Sequence, residues 1–200
     1  MKARNVGSYS LFLALILFSS SIPGEAQDTE FQFNSSQTSV KFTLSDVLHT
    51  VHGTFKLERG ALEMDPQGKM SGEIVVDARS GDSGSGMRDR KMHKEVLESA
   101  RYPEIAFRPD RINGEVPRDG KASVSLHGTF SIHGAEREIT VPAQIEMSAD
   151  HWTAAVHFTV PYERWGMKNP STLFLKVSDT VEIDLDAAGS IVRNSVNANQ

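Results

Sequence analysis

From Lys121 onward the chain alternates polar and apolar residues with a period of two. Ala122, Val124, Leu126, Phe130 and Ile132 fall on one face, and Ser123, Ser125, His127, Thr129 and Ser131 on the other. That period belongs to a strand with one buried and one solvated face and does not fit an amphipathic helix. Beyond a turn predicted at His133-Gly134-Ala135-Glu136 it resumes with Ile139, Val141, Ala143, Ile145 and Met147, which makes a hairpin. Trp152, Ala154, Val156, Phe158 and Val160 form another such face, and Val181, Ile183 and Leu185 a last one. Upstream, Val40, Phe42 and Leu44, then Val51, Phe55 and Leu57, then Met70, Ile74 and Val76 repeat the pattern. The reading is all-β, with eight or more antiparallel strands.

One stretch departs from this pattern. Between Met87 and Ser99, Met92 and Val96 stand four apart among charged neighbours, predicting a short amphipathic helix that Pro103 stops. The Gly- and Ser-rich run Ser80–Gly86 before it reads as a loop.

At the N-terminus, Lys2 and Arg4 precede an apolar run from Leu11 to Phe18, followed by Pro23, Gly24 and Ala26. This is the pattern of a secretory signal peptide over residues 1–26, and the apolar run is shorter than the roughly 20 residues a spanning helix needs. No break in composition divides the chain beyond residue 26. It therefore reads as a leader, one domain over residues 27–190 and a polar tail over 191–200. With no cysteine, disulfide scaffolds, thiolate metal sites and cysteine nucleophiles are excluded. A formal charge of −5 argues against nucleic acid as a partner, because phosphate binding needs clustered Lys and Arg.

A sheet with one apolar face must pair with a second sheet or close on itself. A closed barrel of about eight strands is either filled by its own side chains or holds one small ligand. The inner faces combine Phe42, Phe55, Phe130 and Phe158 with the small Gly53, Gly72, Gly128, Ala143 and Ala154, so a lumen and a filled core both remain open. A dry β-sandwich serving as an interaction module satisfies the same alternation.

Catalytic patterns are absent. Gly81-Asp82-Ser83-Gly84 lacks the rest of a nucleophile triad, and Ser85 occupies the last position of a Gly-x-Ser-x-Gly elbow. Among seven histidines there is no His-Glu-x-x-His helix, and a metal-dependent hydrolase would need a cluster assembled across strands. We assign no metal, no cofactor and no catalytic residue. The tetrad His52-Gly53-Thr54-Phe55 recurs intact as His127-Gly128-Thr129-Phe130, which suits strands that turn sharply at Gly above a layer filled by Phe.

With this tandem tetrad, the segment from Met87-Arg88-Asp89 through Met92-His93 and Leu97 to Tyr102-Pro103-x-Ile105-x-Phe107, and the element Trp165-Gly166-Met167, the chain resembles the YceI-like family. The resemblance implies a lipocalin-like antiparallel barrel with a short helix near its mouth, located in the periplasm. It also implies a long-chain apolar ligand in the lumen: an isoprenoid, an isoprenoid quinone or a fatty-acid derivative. On that basis Phe42, Phe55, Met92, Leu97, Phe107, Phe130, Phe158 and Trp165 are expected to line the ligand site. Arg88, Asp89, His93 and Arg164 are candidates for its polar head group. Arg164-Trp165-Gly166 stands where the family often has Asp-Phe-Gly, which exchanges an acid for a base at the expected rim. No membrane span is expected in the mature chain, and homodimerisation is left open.

Overall fold

The computed structural model describes residues 28–46, 49–172 and 176–194. The leader expected over residues 1–26 lies outside them. Nine strands are present: β1 Asp28–Phe33, β2 Ser39–Ser45, β3 Thr50–Met64, β4 Met70–Asp82, β5 Glu104–Asn113, β6 Gly120–Ile132, β7 Ala135–Met147, β8 His151–Val160 and β9 Val181–Asn194. All pairings between them are antiparallel. β1 and β2 both pair with β3 and with β9, β1 with their distal ends and β2 with their opposite ends. They act as one strand interrupted at residues 34–38, so nine strands occupy eight positions of a closed ring. Closure leaves no free sheet edge at the ring's two ends in the strand order. The two-sheet sandwich is replaced by a single barrel.

The hairpin expected between β6 and β7 forms with full pairing from Gly120↔Met147 to Ile132↔Ala135. Its turn is tighter than the four residues predicted: only His133 and Gly134 are unpaired, with φ of 53° and 71°. Two positive φ values match the strong twist of a two-residue hairpin.

Residues 191–200, expected as a tail, begin inside a strand. β9 continues to Asn194 because β1 pairs with it from Gly189 to Asn194, and Ile191 is buried in the core. The helix also differs from its prediction. Gly86–Lys91 is α-helical (α1), Met92–Val96 widens into a π-helical turn, and the chain leaves it at Glu98 with φ 45°. The stop is thus a left-handed residue five positions ahead of Pro103.

Each tetrad glycine lies where a neighbouring backbone crowds its strand. A Cβ on Gly53 would stand 2.6 Å from the Asp82 carbonyl, and one on Gly128 2.3 Å from the Arg108 carbonyl. Both sit beside breaks in register, in the β3–β4 ladder near Thr54 and in the β5–β6 ladder where Asp110 is the extra residue. The tetrad is therefore a device for bending the wall.

Candidate functional site: an apolar lumen

The inward faces enclose a cavity of about 230 Å³. Every residue around it is apolar except Tyr162, whose hydroxyl is committed to the Ser178 carbonyl. The lumen runs between two differently built ends. At one end Trp152 forms the floor, packed edge-on against Phe31 and Phe33 with ring centroids 6.0 and 4.6 Å away, and its indole N–H donates to the Ser190 carbonyl at 3.2 Å. At the other end α1 and its π-helical turn lie across the mouth, with Met92, Val96 and Leu97 facing inward.

Of the expected lining residues, Phe42, Phe55, Met92, Leu97, Phe107, Phe130 and Phe158 all border the cavity. Trp165 does not. It packs on Phe130 with centroids 5.7 Å apart, in the cluster of the turn that follows β8. The reason is local: Gly166 takes φ 92° in the turn, Met167 after it is buried, and Trp165 before it stays partly exposed against Phe130. Sequence reading misses the floor residue Trp152 as a site residue and the whole Leu62 side of the wall. Trp152 is legible as an inward aromatic. Leu62 is not, because Glu58 is an extra residue in the β3–β4 ladder and reverses which parity faces inward after Leu57.

The four head-group candidates do not border the cavity. Three are engaged in holding the helix to the end of β4. Ser83 donates its backbone N–H and hydroxyl to Asp89, and Arg88 donates to the Ser83 carbonyl at 2.8 Å. The Ser83 hydroxyl, more than any other group, holds the Asp89 carboxyl below the usual carboxylate range. His93 bridges the Gly81 carbonyl at 2.9 Å and the Ser99 hydroxyl at 3.1 Å. Arg164 is exposed on the turn after β8. Across the mouth, Lys168 pairs with Glu95 at 2.9 Å and Lys91 donates to the Pro170 carbonyl at 2.7 Å.

The histidines follow their strands. His127 lies on the outer face, as expected, half-buried, with Nδ1 2.8 Å from Asp110 and Nε2 3.6 Å from Glu138. These three are the group among the described residues whose spacing would admit a metal ion. They lie on the outer face of the wall, away from the lumen, with both carboxylates exposed. His133 sits in the β6–β7 turn against the Tyr102 ring, with Nε2 buried.

A helix-capped antiparallel barrel around a purely apolar lumen is the architecture that the sequence resemblance implies. The YceI-like domain family matches residues 31–188. The chain belongs to that family. No match is found among curated proteins. Solved structures share the fold at low identity. The Burkholderia cenocepacia protein BcnA is 16% identical, with 78% of this chain and 99% of that one covered at a TM-score of 0.64. A polyisoprenoid binding domain from Saccharophagus degradans is 15% identical, with 80% and 97% covered at 0.63. The Campylobacter jejuni YceI protein is 12% identical, with 94% and 92% covered at 0.52. In this YceI-like chain, no helix among the described residues is long and apolar enough to cross a membrane.

Proposed function

We propose that this YceI-like protein is a periplasmic carrier, and not an enzyme, that holds an isoprenoid, an isoprenoid quinone or a fatty-acid derivative in its barrel. The observation that carries the reading is the wall of the lumen, which among the described residues offers no free polar group. A wall of this kind favours a guest by removing its surface from water, at about 0.8 kcal/mol per buried CH₂ before ordering costs. An apolar cavity of about 150 Å³ already accepts benzene in another protein, and the lumen here is larger. Met70, Met92 and Met147 on the wall add adaptability, since an unbranched thioether changes rotamer at little cost.

Such a wall does not discriminate along a chain. Selection falls to groups at the rim; of the two exposed guanidiniums among the four candidates, Arg88 is engaged with Ser83, and Arg164 is the one that suits a phosphate or carboxylate. Arg88, Asp89 and His93 act on a ligand indirectly, by holding the helix over the mouth.

Native mass spectrometry of the mature protein, isolated from its own periplasm without detergent, tests the reading. The expected result is an adduct of lipid mass that partitions into organic solvent on denaturation. A bare polypeptide that also fails to take up added apolar probes overturns it.

A further inference from the structure

The ring is closed in strand order but not along its whole height. The β7–β8 ladder joins Ala143–Met147 to Trp152–Val156 and stops there. Above it, residues 135–142 of β7 pair with β6 alone, and residues 157–160 of β8 pair with β9 alone. The ladder ends one residue short of Pro142, which has no N–H to continue it. The seam is about four residues, or roughly 13 Å, tall. Ile139 and Val141 stand on one side of it and Phe158 and Val160 on the other, and all four line the lumen.

No hydrogen bond or ion pair spans this seam among the described residues. Its outward polar residues turn away from each other: Glu138 accepts from Thr129 on β6 at 2.8 Å, and His157 pairs with Asp184 on β9 at 2.8 Å. The other short ladder, β4–β5, shows the contrast. Where its pairing lapses below Phe107, Arg108 reaches Glu73 at 3.4 Å, and Lys69 bridges to Arg111. That gap is laced shut and the β7–β8 gap is not.

The mouth is the obvious alternative way in, but opening it is costly. The helix would have to release the Asp89, His93, Lys91 and Glu95 contacts together. Among the described residues, parting the seam breaks no β7–β8 backbone hydrogen bond, and the side chains it separates on the lumen face are the apolar Ile139, Val141, Phe158 and Val160. We propose that the β7–β8 seam is a lateral entrance through which an apolar chain passes between solvent and lumen. This rests on the lumen-binding reading above.

The chain has no cysteine, so a single engineered pair can be read cleanly. Thr140 and Thr159 would face each other if the ladder continued, and both are exposed. The test monitors release of a fluorescent polyene fatty acid, cis-parinaric acid, from the Thr140→Cys/Thr159→Cys variant to acceptor vesicles. Oxidation, or a short bismaleimide where the sulfurs stand too far apart, closes the seam. A Glu95→Cys/Lys168→Cys variant, linked in the same way, closes the mouth.

The expected result is release slowed at least about tenfold by the seam link, restored by reduction of the disulfide and little changed by the mouth link. Release at the same rate with the seam linked, or slowing by the mouth link alone, overturns the lateral entrance while leaving lumen binding intact. Failure of the unlinked parent chain to bind the probe overturns lumen binding itself, and the entrance with it.

Discussion

Ser83 and Asp89 are joined twice, the Ser83 backbone N–H at 2.9 Å and its hydroxyl at 2.6 Å both reaching one carboxylate oxygen. This pair ties α1 to the end of β4 and holds the pKa of Asp89 below the ordinary carboxylate range. A depressed folded-state value gives stabilisation that is complete above the unfolded pKa of about 4 and is lost as pH falls through the folded value. Acidification below about pH 4 should therefore loosen the helix from the mouth. Amide exchange over residues 83–97 should rise in that window while the β6–β7 amides stay protected. Asp89→Asn should remove the pH dependence of that step; an unchanged acid profile in this variant would assign the loosening to other carboxylates.

Gly128 tests whether the repeated tetrad is a bending device. An added Cβ would meet the Arg108 carbonyl at 2.3 Å and the Pro109 Cα at 2.6 Å, both backbone atoms that cannot step aside alone. Gly128→Ala should cost about 1–3 kcal/mol, as overpacking does. Gly86, at the start of α1, has only the Arg90 guanidinium near its added Cβ, at 4.0 Å. Gly86→Ala should be neutral or stabilising by up to about 1 kcal/mol. Thermal or urea unfolding of the two variants separates these outcomes.

The alternating faces are legible because period two survives as long as ladders stay in register. Ile139 to Met147 and Trp152 to Val160 point inward as the sequence pattern requires. Legibility ends where register shifts: at Glu58, which turns Leu62 inward, and at Asp110, which brings a carboxylate from β5 against His127 of β6. An inserted residue changes facing without changing composition, so no pattern in one strand announces it. Arg88, Asp89 and His93 are readable from the sequence as polar residues near the mouth. Their partners are backbone groups and serines, whose positions depend on how the helix docks.

Tyr162 carries the one hydroxyl bordering the lumen among the described residues, donated to the Ser178 carbonyl. Burial, followed by the nearby Glu163 and Asp179 carboxylates, pushes its pKa up to about 12. With the folded value raised, the associated stability is present below about pH 10 and is lost as pH rises toward the folded value. In an ultraviolet titration, Tyr162 should ionise last, and Tyr162→Phe should delete that late step. The same variant leaves the Ser178 carbonyl without its donor and should lose about 1 kcal/mol of stability.

Phe130 meets Phe158 edge-on, with centroids 5.8 Å apart, and supports Trp165 at 5.7 Å, so its ring stands between the lumen and the turn above it. Phe130→Trp adds volume at this point. If the cavity holds a guest chain, the larger indole should occupy lumen space, so that uptake of an apolar probe falls sharply while unfolding changes little. If the interior were instead packed solid around Phe130, the indole would have to push neighbours aside, and stability should fall by about 1–3 kcal/mol. Phe130→Leu makes the opposite change, and probe uptake should be kept or enhanced. Fluorescence titration and urea unfolding of both variants together decide the matter, and a destabilised Trp variant with undiminished uptake would place the guest elsewhere than beside Phe130.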